Sequence, residues 1–261
     1  MKRKSLTNLA RAGLVTAIVA APSMAAQKRV YKPVPAGILT PDKLETSIGT
    51  MHFEYGVPTK ETVEKAYDEL DKQRATQAFV QAIQIASIEA LRICSREAGQ
   101  HEAHQVMIWD ELMDNNTLFL TPNTGTVYIN SVVDLKKDKA IVWEIPAGTG
   151  PIFIDDANFR FVTDFGPLGA DKGKGGTYLI LSPDYKDGDI EDLKGKEIPY
   201  EGSLSVEMKI GSDTRTVFVV QSRSYSNWML GRGFLKDGKP DYSSKLFRSG
   251  LKIYPLSIAT N

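Results

Sequence analysis

The chain has 261 residues, of which 32 are basic and 32 are acidic, so its formal net charge is zero. Nucleic-acid-binding proteins carry a basic excess that complements the phosphate backbone, and this balance therefore argues against a nucleic-acid partner. A hydrophobic share of 42% is typical of a globular protein, and a chain of this length can bury a sizeable core. The single cysteine, Cys94, excludes an intrachain disulfide.

Residues 1–25 have the three-part pattern of a secretory signal peptide. Met1–Lys4 is basic, Ala12–Ala21 is apolar, and Ser23–Ala25 is a small-x-small cleavage site. The apolar run is about half the ~20 residues that a spanning helix needs, so we expect no stable membrane anchor after cleavage. The pattern predicts an exported protein, periplasmic or secreted, that is processed after Ala25 or Ala26.

A polar, proline-bearing linker is expected over residues 26–44, followed by one domain over residues 45–261. Thr59 is placed as the N-cap of a helix that runs from Lys60 to about Glu97 and stops at Gly99. Apolar side chains in this segment recur at helical spacing, which indicates an amphipathic helix. They are Val63, Tyr67, Leu70, Ala78, Ala82 and Ala86.

After His104 apolar residues recur at the shorter spacing that is typical of β-strands. Eight short apolar or alternating runs, separated by Gly, Pro, Asn and Asp, suggest an antiparallel sandwich or barrel. They begin at Leu118, Thr126, Ala140, Gly150, Phe159, Thr177, Leu204 and Thr216. We therefore expect an α+β chain in which an N-terminal helical segment packs on a jelly-roll-like antiparallel β domain.

The segment from Leu120 to Ile129 is the first candidate for ligand contact. Asn123 and Thr124 lie in a turn before a strand, and Tyr128 offers a flat ring with a hydroxyl group. Turn residues of this kind also hydrogen-bond their own backbone, so ligand binding and simple turn closure both remain open.

A glycine-rich segment supplies the second group of candidates. Its spacing is not that of a phosphate-binding loop, and a strand rather than a helix follows it, so we interpret it as a bent loop that feeds a buried strand. Such a loop can line the rim of a binding site, and its charges would then be Asp164, Asp171 and Lys174.

Arg74 and the histidines complete the candidates. Arg74 falls on the apolar stripe of the predicted helix, where it needs a carboxylate partner such as Asp71 or must extend to water. His101 and His104 share one helical turn, but no third ligand follows at a diagnostic spacing, so we expect no metal site.

The ordered set of these motifs resembles the bacterial family of domain of unknown function 1254. The resemblance covers about residues 45–257. It is carried by Tyr67-Asp-Glu-Leu70 with Gln73-Arg-Ala75, Thr121-Pro-Asn-Thr124 with Thr126-Val-Tyr128, Asp134-Leu135, the stretch from Gly166 to Pro183, Arg232–Gly238 and Ile253-Tyr-Pro-Leu-Ser257. It implies export and a jelly-roll-like β domain. In the family, a second β domain commonly follows the Tyr-Pro-Leu-Ser motif.

Two departures from the family pattern concern its polar residues. Gly125 stands where the family usually has Asp, and Gly169-Ala170-Asp171 stands where it usually reads Gly-Pro-Asp. A ligand or metal function that depended on the missing Asp would be lost in this chain. The family implies no established activity and no known cofactor.

Three functions are therefore expected. The first is binding of a glycan or small polar ligand, with Arg74, Asn123, Thr124, Tyr128, Asp164, Asp171 and Lys174 as the candidate contacts. The second is a hydrolase-like enzyme that uses Asp164 or Asp171, and the third is a protein-interaction or scaffold domain. The apolar C-terminal run from Ile253 to Ala259 adds the expectation of self-association or of a separate partner domain.

Overall fold

The computed structural model describes residues 32–117 and 121–259. The predicted signal peptide and all three residues of the predicted strand that begins at Leu118 lie outside the described residues. The chain divides into two compact units, one up to Glu69 and one from Leu70 onward. The predicted α+β class is confirmed, because a long helix precedes two large and mainly antiparallel sheets.

The first unit contains a small antiparallel sheet of three strands. A short 3-10 turn at Ala36–Ile38 precedes β1 (Lys43–Thr46), β2 (Gly49–Glu54) and β3 (Val57–Pro58), which pair in that order. Helix α1 (Lys60–Glu97) begins in this unit. The hydroxyl of Thr62 accepts a hydrogen bond from the His52 amide at 2.7 Å and donates one to the His52 carbonyl, which attaches the first turn of the helix to β2.

The bounds predicted for α1 are confirmed, together with the signals that set them. The Thr59 hydroxyl accepts a hydrogen bond from the Thr62 amide, as an N-cap does. Gly99 has φ +108°, and the Gln100 amide then bonds the Ser95 carbonyl. A residue in this left-handed conformation ends a helix and is most often glycine.

The second unit is a β-sandwich of two five-stranded sheets. Its remaining elements are β4 (Met107–Ile108), β5 (Val127–Asp134), α2 (Leu135–Asp138), β6 (Ala140–Ile145), β7 (Ile152–Asp156), β8 (Phe161–Phe165), β9 (Gly176–Leu181), β10 (Leu204–Ile210), β11 (Asp213–Gln221), β12 (Ser226–Gly233), α3 (Asp241–Gly250), β13 (Lys252–Pro255) and α4 (Leu256–Ala259). We call β10-β11-β9-β6-β13 sheet I and β4-β5-β12-β7-β8 sheet II. Their strand pairs are antiparallel as predicted, except for the parallel pair of β9 and β11.

The two sheets enclose one apolar core. Alternate side chains of each strand enter it, as the two-residue period of a strand requires. Among its fully buried members are Val127, Ile129, Ile152 and Ile154 from sheet II and Ile141, Trp143, Tyr178 and Ile180 from sheet I. Burial of this set supplies the main stabilising free energy of the sandwich.

The other face of each sheet is covered differently. On sheet I a second apolar cluster includes Leu179 and Leu193, and the C-terminal Tyr254 and Leu256 pack partly against it while Ile258 stays 65% exposed. On sheet II the last turns of α1 cover Val132 and Trp228 with Ile88 and Leu91. Phe153 of β7 also packs against this cluster.

Much of α1 is apolar yet exposed. Phe79 is 73% exposed and Ile83 is 50% exposed, whereas Ile88 is only 2% exposed. By length and composition this helix could cross a membrane, but only 11% of its most apolar stretch is buried in the fold. The predicted stripe at Val63 and Leu70 is also exposed, so the residues of α1 from Leu70 onward contact the sandwich through their C-terminal turns rather than along the whole stripe.

Candidate ligand-binding face

Two aspartates and four aromatic side chains lie together on the β7–β8 side of sheet II. The outer face of this sheet is the face that points away from the shared core. Phe153 and Asp155 of β7 lie on it, because their neighbours Ile152 and Ile154 belong to the core. Asp164 of β8 is in register with Phe153, and Phe161 is in register with Asp155.

A β-bulge in the β7–β8 pair makes this arrangement possible. Strict alternation would place residues 161 and 164 on opposite faces of β8. The register shifts between Ile154 and Asp155, so that Thr163 lies opposite Ile154 and Phe161 lies opposite Asp155. One extra residue is thus accommodated in β8, and Phe161 and Asp164 share the outer face.

Aromatic rings surround the two carboxyl groups. The Trp228 ring on β12 meets Phe153 edge-on at 5.3 Å between ring centroids and Phe159 at 5.4 Å. Phe159 and Phe161 are 46% and 41% exposed, so their rings remain available to another molecule. We call the set Phe153, Asp155, Phe159, Phe161, Asp164 and Trp228 the carboxylate–aromatic face.

A buried polar chain fixes the orientation of Trp228. Its indole nitrogen donates to Asn130 Oδ1 at 2.6 Å, and Asn130 Nδ2 donates to the Ser95 hydroxyl at 2.9 Å. All three residues are buried. Because an unsatisfied buried donor is costly, this chain holds the tryptophan in one position between α1 and the face.

The two carboxyl groups on the face are unpaired among the described residues. No side-chain hydrogen bond or ion pair reaches Asp155 or Asp164 within residues 32–117 and 121–259. Burial, followed by the negative charges of Asp156 and Asp164, raises the pKa of Asp155 to about 6. Burial also raises the pKa of Asp164. Carboxyl groups in this condition are ready to bond the hydroxyl or amide groups of a ligand.

The neighbouring Asp156 has a structural function instead. Its carboxylate accepts hydrogen bonds from the amides of Asn158 and Arg160 and from the Arg160 guanidinium at 2.7 Å. These bonds close the turn between β7 and β8. Asp156 is 1% exposed and is fully engaged, so it supports the face without offering a contact to a ligand.

Turn closure accounts for Asn123. Its side-chain oxygen accepts hydrogen bonds from the Gly125 backbone amide at 2.9 Å and from the Thr126 hydroxyl at 3.0 Å. The backbone amide of Asn123 donates to the Tyr128 hydroxyl. Thr124 is exposed beside it. The geometry therefore gives Asn123 the turn-closing role that the sequence left open beside ligand binding.

Tyr128 lies on the outer face of sheet II but away from the two aspartates. It is 3% exposed, and the Arg232 guanidinium lies 5.6 Å from its ring centroid. Three strand spacings of ~4.8 Å separate β5 from β8, so roughly 14 Å lies between Tyr128 and the strand of Asp164. Within the predicted set, Asp164 is the member that belongs to the carboxylate–aromatic face.

Asp171 holds the glycine-rich loop together. It is 5% exposed, and its Oδ1 accepts hydrogen bonds from the Gly166 amide at 2.8 Å and the Tyr178 hydroxyl at 2.6 Å. Its Oδ2 accepts from the Gly175 amide at 3.2 Å. Lys174 is exposed on the same loop. The predicted bent loop is thus present, and the Asp171 carboxylate serves its internal structure.

Arg74 lies on the exposed side of α1. Its guanidinium is 3.4 Å from Asp71, and both side chains are more than half exposed. This is the local carboxylate partner that the sequence suggested. No group of three or more His, Cys, Asp or Glu side chains positioned to hold a metal occurs in the part of the chain that the structure describes.

Sequence reasoning missed Asp155, although a signal for it was present. The run Gly150-Pro-Ile-Phe-Ile was assigned as a strand, and Asp155-Asp156 follows it directly. Continuing the alternation by two residues would have placed Asp155 on the polar side of the strand. Its proximity to Asp164, however, depends on the bulge, for which the sequence gives no signal.

The fold and the face together define an α+β domain with a β-sandwich, one sheet of which carries the carboxylate–aromatic face on its outer side. The model of the family described as "Protein of unknown function (DUF1254)" matches residues 103–255, which is more than half of the chain. The chain belongs to this family, as its motifs suggested. No curated protein matches the chain.

Among solved structures, the VPA0106 protein from Vibrio parahaemolyticus is similar to this chain. The two are 13% identical, with a TM-score of 0.45. The match covers 69% of this chain and 37% of that protein, so the chain spans little more than a third of the length of its structural relative.

Proposed function

We propose that this domain binds a neutral sugar or glycan on the carboxylate–aromatic face. The observation that carries the proposal is the pair Asp155 and Asp164, which lack a polar partner in the described chain and lie beside the exposed rings of Phe159 and Phe161. Sugars present hydroxyl donors at their edges and apolar C–H groups on their ring faces. Carboxylates accept from the hydroxyls, and aromatic rings pack against the C–H groups.

The charge of the face favours a neutral ligand over an acidic one. Two carboxyl groups on adjacent strands repel an anion, and no cationic side chain bonds either of them within the described residues. The rigid support of Trp228 by Asn130 adds preorganisation, because little side-chain freedom is lost when a ligand binds.

Isothermal titration of the purified protein with neutral mono- and oligosaccharides tests this proposal. We expect Asp164→Asn and Phe161→Ala each to weaken binding about tenfold, since each removes one of the contact types on which the site depends. Asp213→Asn and Phe234→Ala serve as matched controls, because both residues are exposed and lie outside the face. Equal losses in the controls, or no saturable binding of any sugar, would contradict the proposal.

A second candidate function is a hydrolase that uses the same carboxyl pair. The raised pKa of Asp155 allows it to hold a proton near neutral pH, as a general acid must. In this mechanism Asp164 accepts a proton from the nucleophile or holds the nucleophile in position. Asp171 is less suited to this work, because its carboxylate is already bonded to two backbone amides and a tyrosine hydroxyl. Chromogenic glycosides distinguish the two functions, because a binding module leaves them intact and an enzyme loses turnover in Asp155→Asn.

The setting that we propose for this function is outside the cytoplasm, in the periplasm or the medium, with no stable membrane anchor after cleavage. The signal-peptide pattern of residues 1–25 supports it. We also propose that the exposed apolar side chains of α1 and of the C-terminal segment support self-association or contact with a separate partner domain. Such contacts would suit a scaffold, and light scattering over a dilution series measures them directly.

A further inference from the structure

The middle of helix α1 is exposed on all of its sides. Every residue from Leu70 to Ser87 is exposed, although no charged side chain occurs from Ala75 to Ile88. A helix segment with so few charges is normally covered by another part of a protein. In the part of the chain that the structure describes, no segment covers it.

One line of side chains along this helix has the spacing of a coiled-coil interface. Its members alternate at intervals of three and four residues, which places them on one face of the helix. We call this line the α1 seam. Its members are Thr76, Phe79, Ile83, Ala86, Ala90 and Ile93, and all of them are exposed. Phe79 is 73% exposed, Ile83 is 50% exposed and Ile93 is 45% exposed, so the large apolar members stand in water.

The α1 seam does not face the protein's own sandwich. Ile88 and Ser95, which are each 2% exposed, mark the side of the helix that is buried against sheet II. Successive side chains are about 100° apart around a helix, so both of these residues lie near the side of the helix axis that is opposite the seam. A second helix can therefore lie along the seam while the sandwich stays in place.

The central part of the seam is complementary to itself when two helices run antiparallel. In one register Phe79 lies opposite Ala90 of the second copy, and Ile83 lies opposite Ala86 of the second copy. Two-fold symmetry repeats each of these contacts. A large side chain then meets a small one in every central layer, which fills the space between the helices.

The outer layers of the same register are complementary as well. Thr76 lies opposite Ile93 of the second copy, and Lys72 lies opposite Glu97 of the second copy, so opposite charges meet at both ends. A parallel pair would instead place Lys72 against Lys72 and alanine against alanine. Like charges and gaps both disfavour that arrangement.

A lipid bilayer fits this helix less well than a second helix does. The uncharged stretch from Ala75 to Ile88 is shorter than the ~20 residues that a membrane-spanning helix needs. It also contains Gln77, Gln81 and Gln84, whose amide groups are costly to place in hydrocarbon. These three glutamines can stay in water when only the seam is covered.

We infer that two copies of this protein associate through α1 as an antiparallel pair of helices. The contact from Lys72 to Glu97 is about 38 Å long and buries roughly 1,200 Å² in total, near the lower limit of specific interfaces. A dissociation constant in the micromolar range is therefore expected, and the dimer separates on dilution. The inference deepens the self-association proposed above for the exposed side chains of α1 and does not depend on sugar binding.

Sedimentation velocity of the purified protein from about 1 µM to about 500 µM measures this association. We expect the wild type to change from monomer to dimer over this range. Ile83→Glu should raise the dissociation constant at least about tenfold, because it places a carboxylate in the centre of the apolar seam. Ile85→Glu is the matched control, since Ile85 is 46% exposed on the same helix but points away from the seam.

Cysteine crosslinking tests the register and the direction of the pair. In a Cys94→Ser background, Thr76→Cys chains mixed with Ile93→Cys chains should form an oxidised heterodimer. Neither variant should crosslink alone, because equivalent positions lie about 25 Å apart along the antiparallel pair, far beyond the reach of a disulfide.

Several outcomes would overturn the inference. They are a monomer at every concentration, a dimer that Ile83→Glu leaves intact, and crosslinking of either cysteine variant alone. Binding to lipid vesicles or to a separate domain by a chain that stays monomeric would also contradict it. Ile83 lies outside the carboxylate–aromatic face, so sugar titration of Ile83→Glu reports the proposed binding function separately from association.

Discussion

Asp155 and Asp164 are diagonal neighbours on adjacent strands of sheet II, on the face that points away from the core. Diagonal pairs of this kind lie roughly 7 Å apart, within reach of one small ligand. Phe153 lies in register with Asp164, and Phe161 lies in register with Asp155. The four side chains therefore form a compact group in which each carboxyl group lies opposite an aromatic ring on the neighbouring strand.

The contribution of Asp155 to stability should fall as the pH rises from about 4 to about 6, because its carboxyl group loses its proton in the unfolded state but keeps it in the folded state. Its folded-state pKa is about 6 and its ordinary value is 3.8, so in this window the folded state binds more protons than the unfolded state. Asp155→Asn removes this loss and should stabilise the protein by roughly 2–3 kcal/mol at pH 8. Urea unfolding at pH 4 and pH 8 measures the difference, and an identical pH dependence in wild type and variant would refute it.

Replacing Asp171 should destabilise the fold. Asp171→Ala leaves two backbone amides and the Tyr178 hydroxyl without their acceptor in a buried loop. We expect a loss of about 2–4 kcal/mol in the free energy of unfolding. Tyr178→Phe removes one donor only and should cost about 1–2 kcal/mol. Lys174→Ala, an exposed neighbour, should stay within about 0.5 kcal/mol in the same urea titration.

The two isoleucines Ile88 and Ile83 should separate the docked part of α1 from its exposed part. Ile88 is 2% exposed against Val132 and Trp228, whereas Ile83 is 50% exposed one and a half turns earlier. Ile88→Ala should cost about 2–4 kcal/mol and Ile83→Ala less than about 1 kcal/mol. Thermal or urea unfolding gives both values. Equal costs would mean that another surface covers Ile83 in solution.

Export predicts a shorter mature chain. Signal peptidase should cut after Ala25 or Ala26, because small side chains precede both positions and the apolar run is too short to remain in a bilayer. Intact-mass measurement of the exported protein identifies the first residue. A mature form that keeps residues 1–24 would rule out processing at this site.

Sequence reasoning succeeded where the deciding interactions are local. The Thr59 N-cap and the left-handed Gly99 lie within a few residues of the helix ends that they set, so the bounds of α1 were predictable. Most strands after His104 were predictable for a related reason, since alternation and turn residues act over two to six positions. The exception is Ser226–Leu235, for which the sequence suggests a short helix and which instead contains strand β12. The motifs in their order also indicated the family.

The candidate face was only partly predictable, because its geometry depends on contacts between distant segments. Asp164 was predicted as a contact, but its partner Asp155 reaches it only through strand pairing and a bulge, and pairing is a property of two strands together. Trp228 likewise takes its position from Asn130, 98 residues earlier in the chain. The sequence by itself thus determined most of the elements and the class of fold. The tertiary structure alone decided which carboxyl groups bond backbone amides, as Asp171 does, and which have no such partner among the described residues, as is the case for Asp155 and Asp164. Burial and hydrogen-bond partners are set by packing, and packing joins distant segments.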